Sequence, residues 1–323
     1  MVAKKLNVNF RDYGIVFVLL AEIILFSVMR QQFFTMSNMI TVIRQAAIVC
    51  ICGVGMLFVL ITGGIDLSVG WMMSATGMLA AYLMTTTAMN PLVACFVVFL
   101  VMMTIGGTIG TIISTLHIAP FIVTMAFMNV LKGFSFLITN GKNVYGLPES
   151  FNYIGQGYIG PIPVPIILMA FALLLGWFVL NKAYVGRHFY SVGSNEEASM
   201  LSGINVTATK ISTYMISSFF ATFAGLVMLA RIKTASPTTG NGYEFDVITA
   251  CVVGGVSMTG GAGRVYHVLV GSLIIAVLNN GMIIMQVSEY VQIIFKGLIL
   301  LAAVIYDVVQ KKRAMKVKAM AAT

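Results

Sequence analysis

Apolar residues run along this chain in blocks too long and too unbroken for amphipathic helices or half-buried strands. A membrane helix needs about 20 mostly apolar residues, with working lengths of about 17–25. By that measure ten candidate spans emerge, near residues 14–30, 45–62, 71–87, 91–116, 119–138, 164–181, 210–230, 246–260, 265–286 and 290–308. Only Asn90-Pro91 and Ala119-Pro120 separate the third, fourth and fifth, and the eighth is short and ends in glycine. The pattern predicts an all-α, polytopic transmembrane helical bundle, a single domain over residues 1–323. Ten is an even number, so both termini are expected on one side.

The first run, Gly14 to Met29, follows basic residues as a secretory signal would. Arg30-Gln31-Gln32-Phe33-Phe34 offers no small-x-small cleavage site, so the run reads as an uncleaved first membrane helix. Two polar interruptions stand out by length. Residues near 139–163 are rich in Gly, Tyr and Pro, and Asn140-Gly141 and Gly160-Pro161 predict a structured surface loop. Residues near 182–209 form the most polar stretch of the chain. Two glycine-rich breaks, Gly63 to Gly70 and Gly254 to Arg264, each follow one apolar run and precede another. In transporters, glycine-interrupted segments in corresponding halves often mark the transport path.

Composition supports lipid as the solvent. The chain is 59% hydrophobic and 9% charged, with a mean hydropathy of +0.98, whereas soluble domains carry about 25% charged residues. The net charge of +9 is confined to the flanks of the apolar runs, with no basic groove and interleaved aromatics, so no nucleic-acid partner is expected. With the termini inside, Lys4, Lys5, Arg11, Lys182, Arg187, Lys210, Arg264, Lys311, Lys312, Arg313, Lys316 and Lys318 are cytoplasmic, and Arg30, Arg44, Lys142, Arg231 and Lys233 are outside. That bias predicts both termini in the cytoplasm.

Candidate chemistry is sparse. Cys50, Cys52, Cys95 and Cys251 all lie in apolar runs and read as small core residues. His117, His188 and His267 stand apart, with no metal or nucleophile spacing, so no catalytic residue, metal or cofactor is expected. The glycine run at Gly254–Arg264 lacks the Gly-Lys-Ser/Thr ending of a phosphate loop, so the chain is not expected to bind or hydrolyse ATP by itself. The segment Gly193-Ser194-Asn195-Glu196-Glu197-Ala198-Ser199-Met200-Leu201-Ser202-Gly203 is more informative. Ser194 to Glu197 fits a capping box, Glu196 and Glu197 suit the positive end of a helix, and Gly203 suits a left-handed terminus. A short cytoplasmic helix follows, with Ala198 and Leu201 on one face. It suits a solvated connector and a docking element equally well. Within the apolar runs, Glu22, Asp66, Lys132, Glu244, Asp246 and Lys296 are costly to bury. Glu22 and Lys296 are expected to pair or snorkel. Asp66, flanked by glycines and followed by Ser68, suits a helix cap or a gate.

Taken together, Thr62 to Gly70, Tyr184 to Arg187, Ser194 to Val206, Ala235 to Asp246, Gly254 to Arg264 and Leu278 to Gly281 carry a resemblance. The whole chain resembles the permease subunits of bacterial ribose-type sugar importers, a branch of the ATP-binding-cassette transporters. The resemblance implies a multi-pass protein of the bacterial inner membrane, in contact with lipid. It implies two cytosolic ATP-binding subunits, a periplasmic or surface-tethered solute-binding protein, and a second permease copy, identical or related. It makes the Asn195–Gly203 helix the coupling helix, with Ser194, Asn195, Glu196, Glu197, Ala198, Leu201 and Gly203 as contact candidates. Asp66, Ser68, Phe121, Thr124, Asn279 and Asn280 become pathway or gate candidates. The fifth span departs from relatives, which often carry Leu and Gly near Met125 and Phe127. Substrates of the family are mostly pentoses and hexoses, with furanosyl signals and nucleosides among relatives. An ion-coupled secondary transporter for a small polar solute is the alternative, and it requires a paired set of intramembrane acids or cation sites. A membrane enzyme lacks a nucleophile–base or metal set.

Overall fold

The computed structural model describes residues 10–321, with side chains over 14–310. The chain opens with α1 (Phe10–Met29), turns through a 3-10 segment at Gln31–Phe34, and continues as α2 (Met36–Ile61), α3 (Val69–Thr85), α4 (Pro91–Leu116) and α5 (Pro120–Leu137). A short helix, α6 (Glu149–Gln156), and a hairpin of β1 (Tyr158–Ile159) and β2 (Ile162–Pro163) build the first long loop. After α7 (Val164–Asn181) the second polar stretch folds into α8 (Tyr184–Ser194) and α9 (Glu196–Leu201). The remainder is α10 (Val206–Ile232), α11 (Tyr243–Val253), α12 (Val265–Ile284) and α13 (Glu289–Ala321).

Helix starts follow local chemistry. Pro91 and Pro120 open α4 and α5, where a missing amide costs nothing, and Asn90 caps α4 by accepting from the Leu92 amide at 2.9 Å. The ten apolar runs are wholly or partly helical, and among the described residues seven helices are long and apolar enough to cross a membrane: α2, α4, α5, α7, α10, α12 and α13. Of the other three, α1 has 20 residues, and α3 and α11 have 17 and 11. Glycine interrupts the backbone before α3 and after α11, so these runs are only partly helical. The second span also begins earlier than expected, at Met36, which places Arg44 inside α2 and over the Tyr158 ring at 4.8 Å.

α2 and α10 form the centre of the bundle, packed against each other and flanked by α3, α4, α7, α11 and α12. Close approach depends on small residues. A Cβ at Gly55 would lie 3.0 Å from the backbone of Ser217, and one at Gly110 would lie 2.7 Å from the Ile211 Cα. Without a hydrophobic drive between helices in lipid, such close contacts supply the packing energy. Cys50, Cys52 and Cys251 are buried here, and Cys251 donates weakly to the Gly53 carbonyl.

The two short helices start against each other. The Gly240 amide donates to Ser74 Oγ at 2.7 Å, and a Cβ at Gly240 would collide with the Gly70 carbonyl. Glu244, in the first turn of α11, is buried beside Gly70. α13 lies at the edge and packs mainly on α11, with only 6% of its apolar stretch buried. Two polar contacts hold it there. Lys296 Nζ meets Asp246 Oδ2 at 2.9 Å, and Asp307 accepts from the Met258 amide at 3.3 Å. The Lys296 pair is the structural pairing expected from the sequence. Glu22 differs, since its Oε2 has no hydrogen-bond partner among the described residues.

Candidate functional site

The second polar stretch folds onto the end of the bundle where both glycine breaks lie. α8 runs continuously to Ser194, so the Ser194 hydroxyl bonds back to the Tyr190 carbonyl at 2.7 Å. That corrects the expected capping box. A cap needs extended backbone, which Asn195 has (φ −160°, ψ 108°), and its side chain accepts from the Ala198 amide at 2.9 Å. Glu197 therefore sits one position earlier in α9 than a capping box requires. Glu196 is engaged by Lys210 of α10 at 2.7 Å.

At the other end Gly203 takes φ +82° and donates to Met200 at 3.0 Å, while Ile204 donates to Ser199 at 3.0 Å. These two bonds form a Schellman terminus and leave no loose carbonyl to unwind the helix. Ser199 is turned inward, 2.8 Å from Ser191 of α8. Ala198, Met200 and Leu201 face outward, Leu201 with 81% exposure. A rigidly fastened helix therefore presents an apolar edge to the aqueous side.

Beneath it the two breaks meet. The Gly261 amide donates to the Ile61 carbonyl at 2.8 Å. Gly193 of α8 lies in the same junction, and a Cβ there would collide with the Ile61 carbonyl. A Cβ at Gly260 would lie 2.6 Å from the Gly193 carbonyl and 3.1 Å from the Gly63 amide. Tyr190 clamps the arrangement by donating to the Gly263 carbonyl at 2.8 Å. Burial pushes its phenol above the usual range, against the opposing pull of Arg264, and keeps it a donor. A cavity of about 360 Å³ separates the start of α9 from this floor, lined by Thr62, Gly64, Pro120, Asn195, Lys210 and Tyr214.

The pathway candidates do not form one group. Asp66 is fully buried and accepts from the Ser68 amide at 3.0 Å, Ser68 Oγ at 2.5 Å and Ser217 Oγ at 2.7 Å. It fastens the first break to α10. Thr124, also buried, has its hydroxyl 2.9 Å from the Pro120 carbonyl of its own helix and 3.3 Å from the Ile65 carbonyl, which sets α5 against the same segment. Phe121 is half exposed at the start of α5. Asn279 donates to Asp246 at 3.2 Å, and Asn280 accepts from Asn38 at 2.9 Å, so both serve contacts among α2, α11 and α12. The sequence reading named Lys132 only as a costly charge and passed over Asn129. Asn129 and Lys132 share the exposed face of α5 with Met125, and Lys132 Nζ lies 5.2 Å from the Trp71 ring. The signal was present as two polar residues three apart in an apolar run.

A family model described as the permease component of branched-chain amino acid transport systems matches residues 38–304, which include both glycine breaks and α8–α9. The chain belongs to this permease family. The chain is also similar to the ribose import permease protein of Haemophilus influenzae, 38% identical over 293 residues, 90% of each chain. The Bacillus subtilis ribose import permease protein is 37% identical over 294 residues, again 90% of each. The D-allose transport system permease protein of Escherichia coli is 34% identical over 301 residues, 91% of each. No solved structure matches the chain.

Proposed function

We propose that the chain is the permease subunit of an ATP-binding-cassette importer for a small sugar, ribose or a related monosaccharide. The observation that carries this reading is the 38% identity to a ribose import permease along 90% of both chains. The family description names branched-chain amino acids, but the full-length relatives named for ribose and allose favour a sugar.

In this reading both termini are cytoplasmic in a bacterial inner membrane, and the ten apolar runs make ten crossings, some partly non-helical. α9 is the coupling helix. Ala198, Leu201 and the Glu197 turn dock on a cytosolic ATP-binding subunit, with Met200 beside them, while Asn195 and Gly203 hold the helix in shape. Exposed Tyr145, Tyr153 and Tyr158 in the opposite loop receive the solute-binding protein. A second permease copy faces α5, because Asn129 and Lys132 on a lipid-facing surface would be costly. The route then runs between two α5 faces, with Phe121 at its cytoplasmic end. Asp66, Ser68 and Thr124 shape the gate by holding the first glycine break. A partly buried ion pair occupies Asp246 and Lys296, which leaves the ion-coupled alternative without that acid.

Uptake by proteoliposomes tests the reading. The chain, reconstituted with its ATP-binding subunits, is expected to import ribose only with hydrolysable ATP and the solute-binding protein, and uncouplers should leave the initial rate unchanged. Uptake that follows a proton or sodium gradient without ATP would overturn it.

A further inference from the structure

Another exposed feature lies on the α1–α13 side of the bundle. α1 and α13 stand on either side of a crevice of about 510 Å³ whose floor is α11 and α12. Its walls include Val18, Val253, Ile274, Ile299, Ala302 and Ala303, and it is predominantly apolar. A lined slot in a membrane helix bundle admits an acyl chain more readily than a flat helix face. At one end the crevice adjoins a more polar cavity of about 430 Å³, and the two share Ile15 and Gly255. Arg264, Tyr190 and Asn181 line the polar part.

The charges there favour an anion. Arg264 is exposed, has no carboxylate partner among the described residues, and stacks loosely on Tyr266 at 6.0 Å. The acid at this end of the crevice, Asp307, is buried and engaged by the Met258 amide. Beyond Asp307 the same helix continues to Ala321 and carries Lys311, Lys312, Arg313, Lys316 and Lys318. Basic clusters directly after a membrane helix, beside an inter-helix pocket, attract anionic headgroups.

We infer that this paired cavity is a binding site for one anionic phospholipid, its acyl chain between α1 and α13 and its phosphate at Arg264. The inference rests on the membrane placement of the chain and is independent of which solute it moves. It gives the peripheral α13 a lipid as its missing neighbour on the α1 side.

Native mass spectrometry of the purified full chain, exchanged into equal amounts of phosphatidylglycerol or phosphatidylcholine, tests it. Phosphatidylglycerol should be retained preferentially. Arg264→Gln should weaken that retention about fivefold, the loss expected for one surface cation, and reduce the weaker phosphatidylcholine retention by less. Ala302→Phe, which fills the slot without changing charge, should reduce retention independently. Circular dichroism and size-exclusion profiles establish that both variants stay folded. Equal retention of the two lipids, or phosphatidylglycerol retention untouched by both substitutions, overturns the proposal. So does displacement of the lipid by inorganic phosphate at the same concentration, which would mark a free-anion site.

Discussion

The amide of Gly261 donates to the carbonyl of Ile61 at 2.8 Å and joins two glycine-rich segments that lie 200 residues apart in the chain. The bond closes a backbone junction in which Gly193 leaves no room for a side chain. Gly193→Ala should therefore push α8 off the ends of α2 and the second break. Overpacking typically costs about 1–3 kcal/mol, so the variant should lose thermal stability in detergent and most of its uptake. Gly297→Ala, with nothing within 4 Å of the added carbon, is the matched control and should be neutral or slightly stabilising. Equal behaviour of the two would refute the junction.

Leu201→Asp should leave folding and membrane insertion intact, because the side chain is exposed. Uptake and co-purification of the ATP-binding subunits should both fall to background. Coupling requires a contact that differs between conformational states, and a charge in an apolar contact removes it. Asn195→Ala removes only a cap, worth about 1 kcal/mol, and should lower uptake partially. Wild-type transport by the Leu201 variant would reduce α9 to a connector.

On α5, Lys132→Met and Asn129→Leu should both insert normally, since each makes the span more apolar. If this face lines the route between two copies, sugar uptake falls in both variants while ATPase association persists. Unchanged uptake rates would return this face to lipid.

The Lys296–Asp246 pair predicts a particular pattern of non-additivity. Removing one partner of a buried pair commonly costs about 3–5 kcal/mol, because the other charge is stranded. Lys296→Met and Asp246→Asn should each lower the unfolding temperature more than the double variant does. An additive double variant would mean that the 2.9 Å contact contributes little.

Much of the fold was legible because lipid demands long apolar runs, and each of the ten runs contains a helix. The reach of each helix was not. α11 stops at Val253 although the apolar pattern continues to Gly260, because Gly255 turns the chain at φ +102° and Gly261, at φ +72°, gives its amide to Ile61. Such contacts between distant segments leave no periodicity to read. Around α9 the terminus at Gly203 was legible from glycine chemistry, but the cap was not. Ser194 and Asn195 are both good caps, and only the length of α8 decides between them. The gate candidates were chosen as polar residues in apolar surroundings. Phe121 aside, that criterion gathered residues such as Asp66 and Thr124, which are buried, yet it could not distinguish a side chain facing a route from one fastening a loop. Lys132 and Asn129 met the same criterion and were exposed.

The pairing of Lys296 with Asp246 also sets an order of events during synthesis. Asp246 emerges from the ribosome 50 residues before Lys296. At that stage α11 is an eleven-residue helix with two acids in its first turn, a poor substrate for release into lipid. It must wait beside the insertion machinery, or against α2 and α3, until α13 delivers its lysine. A ribosome stalled before residue 296 should thus leave a chain whose earlier helices are integrated and whose α11 is still unanchored.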